Sequence, residues 1–236
     1  MLSIKLGQSL TSNNAASINA DTYSIQLTGT EYVSVDGVSG DIDTTEGSIS
    51  LWTKQSSASG NGVVFKMIAD SDNYMQIFYH NATQQLRAIY EAGNVYRAAN
   101  MTTIIENDGA WHHILMTWSA TETDSVNIWL DGVKQAQSQA APGTWVGSIS
   151  DADIGQNTTS GNFYKGFIDE FSIFDRVVDI SEVYLADRQP INVTGTSGVV
   201  GYWRFEEGSG AVAIDSSGKG NEGTLFNSPA WTTDTP

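Results

Sequence analysis

At 236 residues the chain suits one large domain or two small ones and is long enough to bury a sizeable apolar core. Its 27 acidic residues against 11 basic ones leave a formal net charge of −16, which repels nucleic acid and anionic membranes and argues against both as partners. With no cysteine, disulfides, thiolate chemistry and cysteine zinc sites are excluded.

Residues 1–20 read as a polar arm. They contain one Lys and no apolar run of signal-peptide length, so the expectation is a protein without a secretion signal. No stretch approaches the ~20 apolar residues of a membrane span. From there on, apolar residues come in short runs of period two, separated by Gly, Asn, Asp and Ser, which is the strand signature. The runs are "YSIQL" (23–27), "EYVSV" (31–35), "SISLWTK" (48–54), "VVFKMIA" (63–69), "YMQIFYH" (74–80) and "LRAIYE" (86–91). Next come "WHHILMTWS" (111–119) and "SVNIWLDG" (125–132), in which Val126, Ile128 and Leu130 share one face and are expected in the core. Asp131-Gly132 tolerates the positive φ of a tight hairpin turn. After "GFIDEFSIF" (166–174), the segment "DISEVYLADR" (179–188) has capping-box spacing at Asp179 and Glu182 and is expected to form one short helix. "VVGYWRF" (199–205) and "EGTLF" (222–226) close the series. Sequons at Asn81, Asn100, Asn157 and Asn192 read as turn chemistry. Strands at this spacing, with no low-complexity linker, predict an all-β fold over residues 21–236, an antiparallel two-sheet jelly-roll β-sandwich with one short helix.

The stretch "AIDSSGKGNEGTLF" holds Gly218, Gly220 and Gly223 in G-x-G-x-x-G order. A dinucleotide site needs its third glycine to open a helix, and only 13 residues of strand and turn character follow Gly223. An EF-hand loop starting at Asp215 fails at Lys219 and Phe226, where oxygen ligands are required. A Gly-rich turn is left, with or without a calcium of another type. Asp169 and Glu170 invite a glycosidase reading, but neighbours in a regular strand face opposite ways, and one carboxylate cannot serve as both acid and nucleophile. His80, His112 and His113 show no metal-ligand spacing, and there is no G-x-S-x-G elbow. Among the aromatics, Trp52, Tyr79, Tyr90, Tyr96, Trp129 and Trp145 are the candidates for stacking on sugar rings.

Taken together, "YSIQLTGTEYVSV", "GSISLWTK", "DGAWHHILMTWS" with "VNIWLDGVKQA", "GFIDEFSIFDRVVDISEV" and "VVGYWRFEEGSGAVAIDSSGKGNEGTL…PAW" resemble the laminin-G-like, concanavalin A-like lectin/glucanase domains over about residues 21–231. In the commonest arrangement the "YWRFEEGSG…DSSGKGNEGT" unit opens the domain. Here it stands last, as in a circular permutation or a truncated second repeat. The resemblance implies a β-sandwich that binds glycans or protein surfaces and often carries calcium. The catalytic E-x-D-x-E strand of the family's enzymes is missing. By resemblance, calcium is expected at Asp215 and Asp169, with oxygens from Gly218 and Asn221; the alternative has Asp215 accepting turn amides as an Asx-turn. The implied function is a non-catalytic recognition module for carbohydrate or a protein surface. The lack of a secretion signal, the missing Cys and the acidic, Thr- and Asn-rich composition suit a place at the virion surface or extracellular, with a bacteriophage capsid decoration or tail-associated adhesin as the expectation. The rivals are a polysaccharide hydrolase or lyase and a purely structural virion or matrix block.

Overall fold

The alternating runs become strands in a computed structural model that describes residues 21–56, 60–122, 124–138, 140–157 and 161–236; the polar arm, residues 1–20, lies outside them. The first half of the chain forms β1 (Ser24–Leu27), β2 (Tyr32–Ser34), β3 (Glu46–Gln55), β4 (Gly62–Asp70), β5 (Asn73–His80), β6 (Gln85–Ala92), β7 (Val95–Asn100) and β8 (His112–Ser119). The second half forms β9 (Val126–Leu130), β10 (Val133–Ser138), β11 (Asp151–Ile154), β12 (Gly166–Phe174), β13 (Val199–Trp203), β14 (Val212–Ala213), β15 (Gly223–Phe226) and β16 (Ala230–Thr232).

Two sheets result. The first runs β10-β9-β8-β3-β12-β1-β16, with β13 beside the C-terminal half of β12; the second runs β14-β15-β2-β11-β4-β5-β6-β7. Neighbouring strands are antiparallel in both. The C-terminal unit completes both sheets, through β13 and β16 in the first and β14 and β15 in the second. Inner faces of both sheets meet in one core that includes Phe65, Phe171, Trp118 and Trp203. Each of these side chains, removed from water, contributes roughly 1.5–3 kcal/mol by area. Val126, Ile128 and Leu130 are buried as expected, and the β9–β10 turn sits at positive φ for Asp131 (48°) and Gly132 (78°).

The two outer faces are treated differently. On the first sheet, Leu115, Phe174 and Tyr202 point outward and pack under Val178, Val183 and Val193, so the segment 175–198 covers that face. No comparable apolar cluster covers the outer face of the second sheet among the described residues. That leaves Lys66, Tyr74, Gln76, Glu91 and Tyr96 on a face without such a cover.

The short helix expected at 179–188 is corrected to a 3-10 turn, Ile180–Glu182. Its capping box is real: the Asp179 side chain accepts from Ser181 N, and Glu182 Oε1 accepts from Asp179 N, both at 2.9 Å. One α-type bond, Tyr184 N to Ile180 O, follows and then the chain leaves. Pro190 disfavours helical backbone at the residue before it, and so few residues cannot recover the cost of helix nucleation. Tyr184 instead lies against Trp52 and His113, with ring centroids 6.0 and 5.1 Å away.

Candidate functional site

Strand alternation builds the open face. Lys66 pairs with Gln76 and Ile68 with Tyr74 between β4 and β5, Tyr74 pairs with Glu91 on β6, and Glu91 pairs with Tyr96 on β7. On the other side, β11 brings Asp151 opposite Ile68 and Asp153 opposite Lys66. A cleft of about 480 Å³ lies across Lys66, Asp70, Tyr74, Gln76, Asp151 and Asn157.

Lys66 is 6 % exposed, and burial lowers its pKa while the charge of Glu91 opposes the shift. Its Nζ stands 4.6 Å from the Tyr74 ring centroid and donates to Asn157 Oδ1 at 3.2 Å. Burial, reinforced by Glu91, raises the Tyr74 phenol well above its ordinary pKa, so the hydroxyl stays protonated. Gln76 is almost wholly buried, and its Oε1 meets no donor. Buried acceptors of this kind are uncommon. The face therefore offers an aromatic ring, a cation and a waiting acceptor within one cleft.

Of the six stacking candidates, Tyr96 is on this face and 46 % exposed. Trp129 is half-buried in a second cleft of about 420 Å³ on the first sheet, with Lys134 Nζ 5.4 Å from its ring. Trp145 is partly buried against the core, donating Nε1 to Gly147 O at 3.1 Å. Trp52, Tyr79 and Tyr90 are corrected: all three are buried and have no face for a sugar. Trp52 lies beneath Tyr184, Tyr79 donates to Glu106, and Tyr90 donates to Thr44 O at 3.0 Å.

The expected calcium residues separate into two places. Asp215 is occupied by the turn itself: Oδ1 accepts from Tyr202 N (3.0 Å) and Ser217 N (2.9 Å), and Oδ2 from Ser217 Oγ and Asn221 N (both 2.8 Å). Asn221 is held in place by its Nδ2, which donates to Val200 O and Asp41 Oδ2, and by its backbone carbonyl, which accepts from Trp203 Nε1. Gly218 supplies the turn with φ +84° and has open space around it. This is the Asx-turn arrangement, with the amides of Ser217 and Asn221 as the partners within the turn. Asp215→Asn is expected to lower stability by about 1–2 kcal/mol in chemical denaturation, because an amide can accept at one end only. Any calcium response is expected to be unchanged.

Asp169 belongs to a different group. The β12–β3 register slips by one residue between Asp169 and Ser172, and Glu170 takes φ +48°. The bulge overrides strict alternation, so both acids interact with Asp21. Asp169 is fully buried; its Oδ1 accepts from Glu170 N at 2.9 Å, and no donor reaches Oδ2. Neither Asp21 oxygen meets an N–H or a hydroxyl of Ser, Thr or Tyr; what faces it are the carboxyls of Asp169 and Glu206, which hydrogen-bond with it when one of a pair is protonated. Burial, then contact with Glu206, pushes Asp21 up to about 7. Burial and the Asp21 charge hold Asp169 well above the carboxylate range. Burial raises Glu170 to about 8, opposed by Arg204 3.4 Å away, and Tyr202 donates its hydroxyl to Glu170. Among the described residues no three His, Asp or Glu side chains converge to hold a metal unaided. Once deprotonated, Asp21 and Asp169 are hard oxygen ligands of the kind calcium takes alongside backbone carbonyls.

The histidines are held within the structure. His112 bridges Asp108 and Asp131 at 2.8 Å on each nitrogen, while His113 is buried against Ser50 Oγ and pushed down to about 3 by desolvation. Sequence reasoning missed Lys66, Tyr74, Gln76 and Asp21. A lysine and a glutamine in otherwise apolar strands, "VVFKMIA" and "YMQIFYH", were the available signal.

A sequence model of the concanavalin A-like lectin/glucanases superfamily (laminin G type) matches residues 27–184. No curated protein matches the chain by sequence. Among solved structures, a candidate carbohydrate-binding protein from Bacteroides ovatus superposes with a TM-score of 0.65 at 15% identity, over 90% of this chain and 60% of that one. The chain thus spans less than two thirds of that protein's length. The CBM40 of the Ruminococcus gnavus IT-sialidase, bound to α2,3 sialyllactose, gives 0.57 at 11% identity, over 70% of this chain and 97% of its own. Domain 4 of an extracellular arabinanase from Geobacillus stearothermophilus, in complex with arabinotriose, gives 0.54 at 17% identity, over 67% and 73%. These likenesses speak to the fold.

Proposed function

The chain belongs to the concanavalin A-like lectin/glucanase superfamily, and from that premise we propose that it is a non-catalytic carbohydrate-binding module whose ligand lies along the open face of the second sheet. The observation that carries this reading is the buried Lys66, its ammonium against the Tyr74 ring, beside the unmet Gln76 Oε1. A sugar presents apolar C–H faces to an aromatic ring and hydroxyls that both donate and accept, and this cleft meets each need. Asp70, Asp151 and Glu91 around it, on a chain of net charge −16, favour neutral sugars over sialylated or uronic ones. That relatives of this fold were solved with arabinotriose and sialyllactose supports a sugar ligand. A glycan array with neutral and sialylated arms tests the reading. Saturable binding to neutral saccharides is expected, and silence across both arms removes the proposal.

The non-catalytic reading draws support from the burial of Asp169 and Glu170, neither of which lines the cleft. A calcium ion held by Asp21 and Asp169 would neutralise the buried carboxylates and act as a structural clamp. Placement on a bacteriophage particle rests on the acidic, cysteine-free composition; co-purification with particles tests it.

A further inference from the structure

At the end of the sandwich where β3 stops and β4 and β12 begin, a pocket of about 170 Å³ is lined by residues including Gln55, Asn61, Gly62, Tyr79 and Tyr164. Gln55 makes the last rung of β3 against Gly166 and is 2 % exposed. Its Oε1 and Nε2 are both buried, and neither reaches a partner.

Several neighbouring groups are committed elsewhere. Thr53 Oγ1 donates to Phe167 O at 2.8 Å, so the Tyr164 hydroxyl, 2.7 Å away, spends its hydrogen on Thr53. Tyr79 donates to Glu106, and Asn61 Oδ1 accepts from Asn81 N at 3.0 Å. A buried carboxamide with both ends unmade is a costly arrangement and calls for an occupant.

We infer that this pocket is a second ligand site that takes one uncharged sugar ring. The inference rests on the carbohydrate reading above but concerns a different surface. A carboxamide sets an N–H donor beside a C=O acceptor, the complement of two adjacent hydroxyls, one accepting and one donating. No carboxylate lines the pocket, the partly exposed Phe163 supplies an aromatic wall, and Lys165 is the one charged lining residue, so the sulfate control decides between a neutral ring and an anion. Its volume equals that of about six waters at ~30 Å³ each, room for a single ring but not for a chain.

The test is a titration with free glucose, galactose, mannose and arabinose, with sulfate as a charged control, followed through the Gln55 side-chain amide resonances. A pyranose is expected to shift those resonances saturably in the parent and in Tyr74→Ala alike. In Gln55→Leu and Gln55→Glu, which lack those resonances, the titration is followed through the backbone amides of Asn61 and Gly62; affinity is expected to fall at least about tenfold in Gln55→Leu and less in Gln55→Glu, as the hydrogen bonds are removed in whole or part. The parent titration stands even if a variant does not fold. If no sugar moves the Gln55 resonances while Tyr74-dependent glycan binding persists, the pocket holds water only and the inference fails alone. Sulfate acting in place of sugar, or sugar binding undiminished in Gln55→Leu, overturns it as well.

Discussion

In chelator near pH 8, Asp169→Asn is expected to unfold at a higher temperature than the parent protein, and millimolar calcium is expected to reverse that order. Without a cation, Asp169 lies buried beside Asp21 and Glu170, and the folded state must keep protons on this group or tolerate uncompensated charge. A neutral isostere relieves that cost but can no longer act as an anionic ligand. Calcium at about 100 to 1,000 times its Kd stabilises a protein that binds it only when folded by roughly 3–4 kcal/mol, or roughly 5–15 °C for a domain of this size.

The pH dependence has a definite sign. Asp21 is raised from 3.8 to about 7 and Glu170 from 4.5 to about 8, so the folded state binds these protons more tightly than the unfolded chain. The contribution of these two groups to stability in chelator is therefore full below about pH 4 and is lost as pH rises through 7 to 8. The calcium increment should grow over the same window, because the ion displaces protons that are easier to remove at higher pH. Melting curves that ignore both calcium and chelator across this range would sink the proposal.

Tyr74→Ala is expected to weaken binding to neutral saccharides about 30-fold or more, the ~2 kcal/mol typical of truncating an aromatic anchor. The same change also removes the ring on which the Lys66 ammonium rests, so Lys66→Met should weaken binding too, and the two losses should not add. Tyr96→Ala, at the exposed margin of the face, should cost less. Isothermal titration with the best saccharide from the array gives these ratios. Equal affinities for parent and Tyr74→Ala would exclude this face as the binding surface.

Much of this was legible in the alternation of residues. In "YMQIFYH", Tyr79 shares its parity with the core residues Met75 and Ile77, and Tyr74 shares its parity with Gln76. The same pattern that built the strand thus separates an interior tyrosine from a surface one. Tyr90 follows the same rule with Ala88 and Ala92. Trp52 does not: its parity is outward, and only the segment 175–198 crossing the first sheet, with Tyr184 on top, buries it. The bulge at Glu170 was hidden because a positive φ at a glutamate leaves no mark in composition. Asp21 could not be linked to Asp169 by any local pattern, since their meeting depends on β1 pairing with β12.

The two edges of the fold also differ in how cheaply they form. The open face is largely a meander, β4 through β7, in which each strand pairs with the next along the chain. By contrast, β1 and β16 join residues 24–26 to 230–232, and the carboxylate cluster draws together residues 21, 169–170 and 204–206. Bringing distant segments together sacrifices chain entropy before any contact rewards it, whereas adjacent hairpins close early. The order of assembly that follows has the ligand-facing meander forming first and the two ends of the chain fastening last. A cation at Asp21 and Asp169 would then act chiefly on the rate at which the finished protein comes undone.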